Sequence, residues 1–65
     1  MITVRELIVA LGGMPQDLPV AMEGCDCADW CRYVRVLDLA DGRQIVALLR
    51  GSDGREMRDY ARYLP

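Results

Sequence analysis

The chain has 65 residues, of which 52% are hydrophobic and 28% charged, with a formal net charge of −2. One small domain over residues 1–65 fits that length and a second core does not, while the composition is that of a folded rather than a disordered chain. Histidine is absent, which excludes His-based nucleophiles, proton relays and metal sites, and no apolar run reaches the roughly 18 residues that a membrane-spanning helix needs. The N-terminus also lacks the basic and apolar regions of a signal peptide.

Taken in chain order, the first element is a helix over residues 3–12. Thr3 and Glu6 have the spacing of a capping box, and Val4, Leu7, Ile8 and Leu11 fall on one helical face. Gly12 and Gly13 are expected to end it in a left-handed cap, and Pro15 forbids continuation. Pro15 and Pro19 are then expected to force extended backbone at Met14 and Leu18, leading into a short strand over Val20–Glu23. Residues 24–29 read as a loop. Trp30–Leu39 reads as a long strand whose imperfect alternation points to burial on both faces or to a bulge near Arg35.

Asp41-Gly42 is a hairpin turn pair, and Gln44–Arg50 is the returning strand with Ile45, Ala47 and Leu49 on one face. Ser52 or Asp53 then caps a C-terminal helix, with Met57, Tyr60, Ala61 and Leu64 inward. The expected fold class is α+β: a three-stranded antiparallel meander packed by an N-terminal and a C-terminal helix, α-β-β-β-α. Both helices are expected on mainly one face, leaving the other partly open for binding. The expected core is Leu7, Ile8, Leu11, Val34, Val36, Ile45, Leu49, Met57 and Tyr60.

Charge divides unevenly along the chain. Residues 1–31 hold one basic residue, Arg5, and five acidic ones, for a net −4, whereas residues 32–65 hold seven Arg and five carboxylates, for a net +2. A net-acidic chain argues against direct nucleic-acid binding, which needs a basic footprint. Cys25, Cys27 and Cys31 are an odd, closely spaced set, unlike a secreted disulfide framework, and too few for a structural zinc site without histidine. Three reduced thiols in a bacterial cytoplasm, with no metal and no cofactor, are the expectation. Ser52 is the only serine, better explained as a helix cap than a nucleophile, so the chain is expected not to be an enzyme.

The candidate contact residues are Asp17, Glu23, Asp26, Asp29 and Trp30. From Glu6 to Cys31 there is no basic residue, so these carboxylates present an acidic surface unless the fold brings arginines beside them. Trp30 is a candidate anchor of the kind that dominates protein interfaces.

Thr3-Val4-Arg5-Glu6-Leu7-Ile8, Leu11, and the Pro15-x-Asp17-x-Pro19-Val20 turn resemble the opening of small phage and prophage proteins. The likeness covers about a third of the chain, residues 3–23. It implies a phage context and a helix–turn–strand start. Within that context, a small acidic chain is similar in kind to anti-CRISPR inhibitors, type I-C ones among them. The implied partner is a host protein or protein–RNA complex with a basic DNA-binding groove, which acidic side chains would occupy in place of DNA. The other expectation is a phage accessory or regulatory module that binds a protein with no role in defence.

Overall fold

The computed structural model describes residues 1–24, 28–51, 54, 57 and 58. Its elements are α1 (Val4–Gly12), β1 (Val20–Met22), β2 (Tyr33–Asp38) and β3 (Gln44–Leu49). The class is α+β as expected, with one α-helix and a three-stranded sheet among the described residues. The expected C-terminal helix, including its caps Ser52 and Asp53 and its residues Tyr60, Ala61 and Leu64, lies outside the described residues. Of that segment Gly54, Met57 and Arg58 are described. Met57 N–H donates to Gly54 O, and Ala40 N–H donates to Arg58 O, which ties this stretch to the hairpin.

The sheet is mixed, not an antiparallel meander. Its order is β1-β3-β2, with β1 parallel and β2 antiparallel to β3. The physical reason is in β3 itself. Ile45-Val46-Ala47-Leu48-Leu49 is an uninterrupted apolar run, the pattern of a strand covered on both faces, and Ile45, Val46, Ala47 and Leu49 are all buried. Placing that strand at the centre covers its faces and pairs both its edges. The β1–β2 connection, residues 23–32, is long enough for β3 to stand between those two strands. β2 is consequently an outer strand, and its register with β3 is regular from Tyr33↔Leu49 to Asp38↔Gln44 without a bulge at Arg35.

The β2–β3 turn forms where Asp41-Gly42 indicates. Gly42 N–H donates to Leu39 O and Leu39 N–H to Arg43 O, giving a three-residue loop in which Gly42 takes φ 90°, the left-handed position that such hairpins reserve for glycine. Asp41 braces it by accepting from Arg43 N–H and from Arg43 Nε at 2.7 Å. These bonds hold the Asp41 carboxyl below its usual pKa, the backbone donor contributing most.

Register places Ala21, Leu37, Ile45, Ala47 and Leu49 on one face of the sheet. With Leu39 and Met57 they form the core cluster. Gly54, also buried, has φ 61°, and a Cβ there would come within 2.8 Å of Leu37 Cδ1 and 3.0 Å of Leu49 Cδ2. Val20, Met22, Val34, Val36, Val46 and Leu48 share the opposite face. Leu11, Met14 and Leu18 meet Val20 and Val46 there around an open groove of about 130 Å³. The helix and the Met57 segment therefore lie on opposite faces, which corrects the expectation that one face carries all the helical cover.

The capping box of α1 forms in full: Glu6 N–H donates to Thr3 Oγ1 and Thr3 N–H to Glu6 Oε1. Three other helix expectations need correction. Gly13 closes the helix at φ −93°, not in a left-handed cap; its N–H bonds Ala10 O, while the Gln16 side chain caps Leu11 O and Met14 O. Leu7, Ala10, Leu11 and Met14 are the partly buried positions, so the inward stripe is rotated from Val4–Leu7–Ile8–Leu11 and Ile8 stays 66% exposed. The helix also buries no residue fully. Of the expected core, Ile45, Leu49 and Met57 are buried, Leu7, Leu11, Val34 and Val36 are half-buried, and Tyr60 is outside the described residues.

Candidate functional site

Mixed topology creates the site. β1 ends at Met22 beside Leu48, and β2 begins at Tyr33 beside Leu49. The connection between them must therefore pass across the C-terminal end of β3. The described parts of this crossing strap, Glu23–Gly24 and Ala28–Arg32, frame an open concavity of about 330 Å³ with Met22, Leu48, Leu49 and Arg50.

Glu23 clasps the strap to the strand it crosses. Its Oε1 accepts from Arg50 N–H at 2.6 Å and Gly51 N–H at 2.7 Å. Its own N–H donates to Leu48 O, and on the far side Arg32 N–H donates to Leu49 O. A single carboxylate oxygen thus takes up two backbone donors that the end of β3 would otherwise leave to solvent. Sequence proximity gives no sign of this bond, which joins residues 27 positions apart.

Asp29 sits opposite arginines. Its Oδ1 accepts Trp30 N–H at 2.7 Å and lies 3.9 Å from Arg32, and its Oδ2 lies 3.7 Å from Arg50. Such partly exposed pairs add little stability, but they cancel local field. Trp30, held by that Asp29 bond, remains 61% exposed, next to Met22 at 75%. Cys31, which also lines the concavity, is a free, half-buried thiol whose Sγ reaches Tyr33 O at 3.5 Å.

Of the five candidate contact residues, the fold brings Glu23, Asp29 and Trp30 together at one end of the sheet. Asp17 is exposed in the connector that enters the opposite end of β1. Asp26, with Cys25 and Cys27, lies outside the described residues. Met22 and Leu48 belong to this concavity and carry no chemical signal in sequence; only the β1–β3 register places them there. Among the described residues no group of three or more Cys, Asp or Glu side chains gathers as metal ligands. No helix among them is long and apolar enough to cross a membrane.

No protein-family model matches the chain, and neither a curated protein nor a solved structure matches it significantly.

Proposed function

We propose that the protein acts by binding another macromolecule, with its contact surface centred on Trp30 and Met22 at the strap end of the sheet. The supporting observation is the exposure of these two large apolar side chains at one concavity. A Trp beside an exposed Met is the composition of an interface anchor. The proposed role is that of a non-catalytic inhibitor of a bacterial defence complex of the CRISPR–Cas kind. The phage-like opening of residues 3–23 implies a phage context, and the target rests on the likeness in kind of a small acidic chain to anti-CRISPR inhibitors.

The acidic part of the proposed surface is narrower than the count of carboxylates suggests. Glu23 is turned into backbone donors, and Asp29 faces Arg32 and Arg50. The apolar anchor then supplies most of the proposed contact, and Asp17, at the opposite end of β1, is not part of it. The accessory-module reading shares the same surface and differs in its partner.

The test is target-DNA binding by a purified type I-C CRISPR–Cas complex, with wild type and Trp30→Ala added at increasing ratios. Saturable loss of DNA binding near stoichiometric wild type, with at least a tenfold weaker effect of Trp30→Ala, is the expected result. No effect of wild type removes the defence role and leaves the accessory module. Equal effects of both proteins remove Trp30 as the anchor.

A further inference from the structure

The outer edge of β1 has backbone groups that the contact surface around Trp30 does not use, while the Met22 side chain borders both. Val46 N–H donates to Pro19 O and Glu23 N–H donates to Leu48 O, within the parallel register Val20↔Val46, Ala21↔Ala47 and Met22↔Leu48. In such a ladder alternate residues bond the same neighbour. Pro19, Ala21 and Glu23 thus point their backbone groups at β3, and the N–H and C=O of both Val20 and Met22 point away from the sheet. Their side chains lie on the helix-bearing face and are 61% and 75% exposed.

We propose that this edge pairs with the same edge of a second copy, antiparallel about a two-fold axis at Ala21, to make a continuous six-stranded sheet. The outward groups are spaced for it. With Ala21 on the axis, Val20 stands opposite Met22 of the second copy, and Met22 opposite its Val20. Each pair exchanges two backbone hydrogen bonds, so the four outward donors and acceptors of each strand segment are satisfied reciprocally. On the helix-bearing face the two Val20 and two Met22 side chains then form one apolar patch across the seam.

Charge permits the pairing here and opposes it at the other edge. Val20-Ala21-Met22 is uncharged, and in this register Glu23 stands opposite Pro19 and Gly24 opposite Leu18 of the second copy, so no like charges meet between residues 18 and 24. β2 instead carries Arg35 and Asp38, charged residues of the kind that guard open edges.

Sedimentation equilibrium of the whole chain from micromolar to millimolar concentration tests this, together with Val20→Pro. Proline at residue 20 removes an outward N–H and leaves every β1–β3 bond in place. Wild type is expected to show a monomer–dimer equilibrium, weakened at least tenfold by Val20→Pro. Amide exchange of wild type reads the same edge without a substitution: Val20 and Met22 are expected to gain protection as concentration rises. A wild type that stays monomeric to millimolar concentration overturns the proposal. So does a dimer in which Val20 and Met22 amides exchange freely, or one that a folded Val20→Pro leaves equally tight.

Discussion

The β2–β3 hairpin and helix α1 are held in opposite ways. The hairpin is built from non-local burial: β3 has a neighbour on each edge and cover on each face, and Leu49 has no exposed surface. The helix is built from local chemistry: a complete capping box and a side-chain cap at the other end surround nine residues, none fully buried. Local signals suffice to form a helix and do not make it part of the core. Most helical stability in proteins comes from packing, so α1 is expected to yield before the hairpin does.

The largest effect is expected at the most buried point. Leu49→Ala removes a fully buried side chain and should cost about 2–5 kcal/mol, enough to unfold much of so small a domain; denaturant titration measures it. Gly54→Ala should also be strongly destabilising, because φ 61° and the 2.8 Å approach to Leu37 act together. A wild-type-like melt of either variant would break the view of the hairpin face as the core.

Glu23→Gln sharpens the comparison at the strap. Loss of the charge from two short backbone bonds should cost about 1–3 kcal/mol, with faster exchange of the Arg50 and Gly51 amides. Reversal of Glu23 to Lys is therefore a stability variant before it is a binding variant. Thr3→Ala should cost about 1 kcal/mol and act on α1 alone, seen as lost helical circular dichroism. Its partner adds a pH dependence. The Thr3 backbone N–H, followed by its hydroxyl, lowers the Glu6 pKa from the ordinary 4.5. The unfolded chain thus binds this proton more readily than the folded one, and stability rises with pH across the interval. The stabilisation is complete above the unfolded value near 4.5 and is lost as pH falls through the lower folded value; Thr3→Ala, which keeps the backbone donor, should reduce that acid limb only in part, whereas Glu6→Gln should abolish it. The smallest effect is expected from Ile8→Ser, since that side chain already faces solvent.

What could be read from sequence divides along the same line. The capping box and the Asp41-Gly42 turn are contiguous patterns whose physics is complete within a few residues, and each forms where expected; the proline connector instead turns at Gln16 and Asp17. The stripe on α1 is misread from sequence because Val4–Leu7–Ile8–Leu11 and Leu7–Ala10–Leu11–Met14 are adjacent apolar faces, and only the sheet chooses between them. Strand order was legible in part: the run Ile45–Leu49 marks a strand covered on both faces, yet the hairpin signal says nothing of what lies on its other side. The roles of Glu23 and Asp29 were hidden for a different reason. Charge counted along the chain ignores Arg50 and its backbone, which the strap brings alongside only after β1 has paired with β3.

The central position of β3 carries the site, because the strap crosses the end of β3 only if β1 and β2 flank it. Native-state amide exchange at Val46 and Leu48 tests this most directly. Both donors face β1 in the mixed sheet, Val46 bonding Pro19 O, and should be protected as strongly as the Ile45 and Ala47 amides that face β2. In an antiparallel meander β3 would be an edge, and Val46 and Leu48 would exchange at nearly unprotected rates while Ile45 and Ala47 stayed slow; that pattern would contradict the fold and, with it, the placement of Trp30 and Met22 at one surface.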